Sequence, residues 1–176
     1  MSIAHLGIPD APPEFEDDSR GFERVPPHDL LAEQSVLGGM LLSKDAVADV
    51  TGQLRPGDFY VPKHEVIYEA VLTLYAQGDP TDVSAVTDQL TKTGDLQRSG
   101  GVEYLHTLTS IVPTAANASF YAEIVAEKAL LRRLVEAGTR ITQMGYAGEG
   151  EAVVLVNRAH AEIYTVTGAD QAEDYV

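Results

Sequence analysis

Cysteine is absent from the 176 residues, so neither a disulfide framework nor a thiolate metal site is available, a composition that suits a reducing compartment. Positive charge is scarce, with 12 Lys and Arg against 27 Asp and Glu and a formal net charge of -15. Binding along a phosphate backbone relies on Lys and Arg displacing counterions. Little direct nucleic-acid contact is therefore expected, and the acidic excess suits solubility or a basic partner surface. Long apolar runs are also lacking: none approaches the roughly 18 residues of a membrane span. The first residues show no basic stretch leading into an apolar one, so nothing there signals secretion. The expectation is a cytoplasmic protein that does not associate with membranes.

Catalytic patterns are missing too. No segment reads G-x-x-x-x-G-K-[ST], G-x-G-x-x-G after a strand, or G-x-S-x-G. The histidines, His5, His28, His64, His106 and His160, are scattered, without the i, i+4 pair of a zinc helix. Asp79 and Asp82 lie in a turn that lacks the other ligands of a calcium loop, and Asp17 and Asp18 lie in a tail. We expect no catalytic, cofactor-binding or metal-ligating residue, with His28 and His64 acting as local hydrogen-bonding groups near helix starts. Lys128, Arg132 and Arg133, with Arg140 farther on, form one basic cluster. Lys128 and Arg132 are a helical turn apart and read as a solvated or acid-facing surface, with nucleic acid the competing role.

What is present is helical periodicity. Five of the nine prolines fall within the first 27 residues, around the run "EFEDDSRGFER", and residues 1–26 read as an acidic, proline-rich flexible arm, a tail or a tether. Asp29 can cap a helix carrying Leu30, Leu37 and Leu41 on one side. A short segment at about 45–54 and a loop "RPGDFY" come next. "PKHEVIYEAVLTLYAQG" starts with Pro62 in the first turn, stops at Gly78 and buries Val66, Ile67, Ala70, Val71 and Leu74. Thr81 or Asp82 caps a helix with Val83, Val86 and Leu90 that ends at Gly94, and Val102, Leu105 and Leu108 mark another before Pro113. Residues 27–112 thus read as a small all-α globular head, with no strand pattern.

Within the first helix, "AEQSVLGGMLL" places Gly38 and Gly39 together, at roughly 1 kcal/mol each relative to alanine. With phosphate loop and membrane span set aside, these glycines read as a close-packing point where another helix reaches the backbone.

Residues 113–167 read as a long antiparallel helical hairpin. From Ala115 to Met144 there is no proline and one glycine, Gly138, which gives about 45 Å of helix at 1.5 Å per residue. Phe120, Ile124, Leu131, Leu134 and Ile141 follow the spacing of a packed seam. After "GYAGEGE", Ala152, Val156, Ala159, Ile163 and Val166 repeat it. Phe120, Ile124, Leu131, Leu134, Ile141, Val156 and Ile163 are the candidate hairpin-packing and self-association residues. Leu130, Val135, Val153 and Leu155 lie off that seam, a surplus that either meets another copy or neighbouring domain or folds back on the head.

The blocks "PPHDLLAEQSVLGGMLL", "DFYVPKHEVIYEAVLTL", "GDPTDVSAVTDQL", "GDLQRSGGVEYLHTL" and "PTAANASFYAEIVAEKALLRRL" occur in this order. Over about residues 26–167 the chain resembles the N-terminal domain of the bacterial replicative DNA helicase, the DnaB family. The resemblance implies a fragment of an ATP-dependent helicase of the cytoplasmic replisome at the nucleoid. Residues 168–176 would begin the linker to a RecA-like ATPase domain that this chain lacks, and ATP and magnesium would belong to that domain. The fragment should neither hydrolyse ATP nor unwind DNA.

Its implied partners are further copies of itself, as a dimer and as a trimer of dimers in the hexamer, the C-terminal helicase-binding domain of primase, and a helicase loader. Its implied role is the oligomerisation collar and primase-docking module of the primosome. Pro113, Ala115, Ala116 and Asn117 match the family's head–hairpin junction. A free-standing acidic helical protein–protein adaptor without a motor domain is the alternative.

Overall fold

A computed structural model of the chain describes residues 24–112 and 114–171. Most of the 1–26 arm and Pro113 lie outside them. Seven α-helices and no strand occur among the described residues: α1 Leu30–Leu42, α2 Lys44–Thr51, α3 Pro62–Ala76, α4 Val83–Thr93, α5 Gly101–Ile111, α6 Ala118–Ala147 and α7 Ala152–Gln171. Short 3-10 turns at Pro56–Asp58 and Ala115–Asn117 precede α3 and α6. The fold is the all-α head and hairpin that the periodicity implies. Helix α7 continues to Gln171, into the stretch read as the start of a linker.

Local signals set most boundaries. Asp29 Oδ1 accepts the Ala32 amide at 2.9 Å and caps α1, and Asp82 Oδ1 does the same for Ala85 and α4. Pro62 occupies the first turn of α3, where its missing N–H costs nothing. Gly94 closes α4 in the left-handed region at φ 78°, a conformation glycine adopts without strain. Thr81 has another task. It is buried, and its hydroxyl donates to the Met40 carbonyl at 3.3 Å.

Helix α1 is the axis of the head. It packs against α2, α3, α5 and α6, and nine of its thirteen residues are buried. That explains both its lack of a polar face and its glycine pair. A Cβ on Gly38 would collide with the Leu108 carbonyl oxygen and stand 2.5 Å from Val112 Cγ2, while one on Gly39 would meet Ala118 Cβ at 3.1 Å. Helix α5 crosses one glycine and the start of α6 crosses the other. Leu30, assigned to the buried side with Leu37 and Leu41, is instead 48% exposed, and Ala32 and Glu33 are the residues of the first turn that face inward.

The core also runs past the head boundary drawn at 113. Ala118, Ala122 and Val125 of α6 belong to the same cluster as Val36, Met40, Val47 and Ile67, and α6 packs on both α1 and α2. Small side chains on this face let α6 approach α1 closely. Beyond Ala129, the only buried residue of α6 is Ala137, and α7 is the partner of that distal half.

Candidate functional site

Two features stand out from ordinary helical packing: a buried polar joint in the head and an exposed apolar surface on the hairpin. The joint begins at Glu33, placed one turn into α1 and 1% exposed. Its carboxylate accepts the Tyr60 amide at 3.0 Å, the Val61 amide at 3.2 Å and His64 Nδ1–H at 2.9 Å. Val61 precedes α3 and makes no side-chain cap of its own. Glu33, 28 residues away in sequence, therefore serves as the cap of α3 and sets a negative charge at its positive end.

His64 is fully buried. With Nδ1 donating to Glu33, Nε2 accepts the Tyr104 hydroxyl at 2.5 Å, and the Tyr104 oxygen accepts Gln34 Nε2–H at 3.3 Å. The His64 and Tyr104 rings lie nearly parallel with centroids 5.9 Å apart, and Lys63 Nζ sits 3.6 Å from the Tyr104 ring centroid. Burial pushes the Tyr104 phenol above its ordinary pKa; the Gln34 hydrogen bond opposes that shift and the Glu33 charge adds to it. A Glu–His–Tyr chain invites an acid–base reading. The hydrogen bonds of the chain tie α1, α3 and α5 together. Among the described residues no group of three or more His, Cys, Asp or Glu could hold a metal ion. Nor is any described helix long and apolar enough to cross a membrane.

His64 thus departs from the expected local role, since its partners are 31 and 40 residues distant. The signal for Glu33 was its position: an acid flanked by Ala32, Ser35 and Val36 on a helix with no polar face has to be paired. His28 does stay local. Its Nδ1 lies 2.7 Å from the Pro26 carbonyl oxygen, and its ring stacks on Tyr60 at 4.2 Å.

Arg132 and Arg133 of the basic cluster are drawn into the chain. Arg132 donates to the carbonyl oxygens of Pro27 at 2.8 Å and Asp58 at 2.5 Å, and Arg133 pairs with Asp58 Oδ1 at 3.1 Å. Arg140 pairs with Glu162 across the hairpin at 2.8 Å. These guanidinium groups fasten α6 to the head and α7 to α6. Arg132 and Arg133 thereby leave the solvated surface expected of the cluster, while Arg140 stays 47% exposed.

The junction residues Ala115, Ala116 and Asn117 form the 3-10 turn leading into α6, with the Ala116 amide donating to Thr114 Oγ1 at 3.2 Å. Ala115 lies 3.7 Å from the Cβ position of Gly39, so the junction and the glycine pair meet.

The covered side of the hairpin keeps Ile141, Ala159 and Val166 of the expected seam, while Leu155 and Glu162 take the places expected of Val156 and Ile163. The half-buried and buried positions of α7 are Leu155, Ala159, Glu162 and Val166; on distal α6 they include Leu130, Ala137, Ile141 and Met144. Leu130 and Leu155, read as surplus, are partly covered. Val156 and Ile163 are each 55% exposed, Leu134 is 52%, Phe120 is 61% and Leu131 is 37%. Of the candidate seam residues, Ile124 and Ile141 are partly buried, and Ile124 packs on the head core. The small residues Ala137 and Ala159 face inward, which lets the helices pack closely and leaves the larger aliphatics outside. Val153, Val156 and Ile163, at helical spacing, form one exposed row on α7, and Tyr164 of α7 and Leu134 and Val135 of α6 are exposed as well.

The family profile described as "DnaB-like helicase N terminal domain" matches residues 25–127. The chain belongs to this DnaB family. It is 70% identical over 176 residues to the replicative DNA helicase DnaB of Leifsonia xyli subsp. xyli, covering all of this chain and 38% of that protein. It is 60% identical to the replicative DNA helicase DnaB of Mycobacterium leprae, covering 99% of this chain and 28% of that protein. The DnaB-family chain therefore spans roughly a third of the length of such relatives. Among solved structures, the N-terminal domain of DnaB helicase from Mycobacterium tuberculosis matches with a TM-score of 0.77 and 64% identity, over 81% of this chain and all of that one. A DnaB-like replicative helicase solved with its interactions with primase shares the fold, with a TM-score of 0.66 at 22% identity over 78% of this chain and 31% of that one.

Proposed function

We propose that this chain is the N-terminal tier of a hexameric replicative DNA helicase, serving in cytoplasmic DNA replication as the oligomerisation collar and the primase-docking module of the primosome. The observation that carries the reading is the hairpin surface, offered by a member of this family. Leu134, Val135, Val153, Val156, Ile163 and Tyr164 are all more than half exposed, and an apolar row of this extent on a soluble helix pair marks a contact surface. Self-association through hairpins, as a dimer and then a trimer of dimers, covers it. Support for primase as the partner comes from the fold relative solved with its primase interactions.

In this reading ATP and magnesium serve a following RecA-like domain, and the present chain supplies contact surface and spacing. Light scattering over a concentration series should show a reversible dimer, and the C-terminal helicase-binding domain of the cognate primase should bind. A strict monomer at high micromolar concentration that also fails to bind that domain would overturn the proposal.

A further inference from the structure

On the head, away from the hairpin row, a groove of about 680 Å³ runs between α4, α5 and the C-terminal end of α1. Leu41, Leu42, Val83 and Val102 supply its aliphatic lining, and Leu42 is 53% exposed. Thr87, Thr91 and Thr109 also line it, but their hydroxyls donate back to the carbonyls of Val83, Thr87 and His106 at 2.7, 2.7 and 2.8 Å. With those donors engaged, the threonines add methyl surface and few polar contacts. The volume falls in the range of about 300–1,000 Å³ typical of ligand pockets. Ser84, His106, Asp82 and Asp88 add polar and acidic groups to this lining, and the open shape suits an amphipathic helix laid along it.

Charge chooses the occupant. None of the eleven lining residues is Lys or Arg, while Asp82 and Asp88 stand among them. Asp82 caps α4, which offsets the positive end of that helix. Asp88 is well exposed, and its pair with Lys92 at 2.9 Å is an exposed contact between neighbouring turns of the kind that contributes little. The whole chain carries -15, so a second copy would bring like charge to the rim. The geometry points to a docking groove for an amphipathic helix of another protein, with aliphatic residues along one face and lysine or arginine flanking them. This site is separate from the hairpin surface and does not depend on the primase reading.

The test uses the 176-residue chain and a fluorescein-labelled synthetic helix with leucines at i, i+4 and i+7 flanked by lysines. A twin peptide carries glutamate in place of each lysine. The lysine peptide should shift the amide resonances of Val83, Thr87, Val102 and Thr109, and its anisotropy-derived affinity should fall about tenfold in Leu42→Asp and in Asp88→Lys, since loss of an apolar anchor or a rim charge acts on that scale. Ile163→Asp, on the hairpin, should leave the affinity unchanged. Equal binding of the glutamate twin, shifts that map elsewhere, or unchanged affinity in both groove variants would overturn the proposal. So would shifts of the same amides on raising the protein concentration alone, which would make a second copy the occupant.

Discussion

Glu33 of α1 and His64 of α3 meet at 2.9 Å with both side chains almost wholly removed from solvent. One carboxylate there satisfies two backbone amides and one ring N–H at once. Removing it leaves the buried His64 ring N–H and two partly buried backbone amides without that acceptor. Glu33→Ala should therefore destabilise the domain by about 3–5 kcal/mol, the scale for breaking a buried charged network. Glu33→Gln keeps acceptor capacity on one oxygen only and should cost less. Urea unfolding checks both, and an alanine variant within about 0.5 kcal/mol of the parent would show that water replaces the network.

Gly38 and Gly39 differ in what they face. Alanine at a helix interior is favoured over glycine by roughly 1 kcal/mol, so an unobstructed site would gain stability. At Gly38 the new methyl meets the backbone carbonyl of Leu108, which cannot move without shifting α5; at Gly39 its one tight contact is Ala118 Cβ at 3.1 Å, with Ala115 at ordinary contact distance. Gly38→Ala should lower the melting temperature clearly, and Gly39→Ala should change it little. Gly39→Leu has no room beside α6 and should loosen the head. Thermal unfolding followed by circular dichroism separates the three, and an order with Gly39→Ala the worse of the two alanine variants would refute the assignment.

Much of this architecture is readable before any coordinates. Caps at Asp29 and Asp82, the first-turn proline of α3 and the left-handed Gly94 are local signals, and a helix boundary depends mostly on its own neighbours. The glycine pair is informative for the same reason: two costly residues in an apolar helix require compensation from packing. Long-range pairing is harder to see. Nothing near His64 in sequence names Glu33 or Tyr104, and nothing near Arg132 names the carbonyl oxygens of Pro27 and Asp58. The seam was legible only in part, with Ile141, Ala159 and Val166 covered but Val156 and Ile163 exposed. Apolar residues fill adjacent rows of both hairpin helices, and rows one residue apart are equally periodic, so spacing alone cannot decide which row turns inward. Small residues decided it, with Ala137 and Ala159 on the covered side.

Alkaline pH should expose a second buried joint. The Tyr68 hydroxyl donates to the Leu54 carbonyl at 2.7 Å, and burial, helped by the charge of Asp58, pushes its phenol up to about 12. The unfolded chain would ionise this tyrosine near its ordinary value of about 10. Because the folded pKa is the higher one, the stability linked to the protonated phenol is complete below pH of about 10 and is lost as pH rises through about 12. Tyr104 is shifted in the same direction and adds to the loss. Tyr68→Phe should cost about 1 kcal/mol at neutral pH, the net value of one hydrogen bond, and should flatten the alkaline decline. A variant whose stability falls just as steeply between those limits would assign the decline to other groups.

The exposed row of the hairpin gives the sharpest separation between folding and association. Ile163 is 55% exposed, so Ile163→Asp removes little intrachain packing and should leave helicity and melting temperature near those of the parent. Within a self-association interface the same change places a charge in an apolar contact, where the cost is several kcal/mol unless the charge is paired. Dimerisation should then weaken by two orders of magnitude or more, at about 1.4 kcal/mol per tenfold. Leu134→Asp, on the other helix, should act in the same direction. Asp88→Lys, on the head groove, should leave the dimer intact. Sedimentation equilibrium at matched concentrations distinguishes the cases. If Ile163→Asp and Leu134→Asp both remain folded and dimerise like the parent, self-association uses a different surface, and the apolar row is left to a neighbouring domain or a different partner.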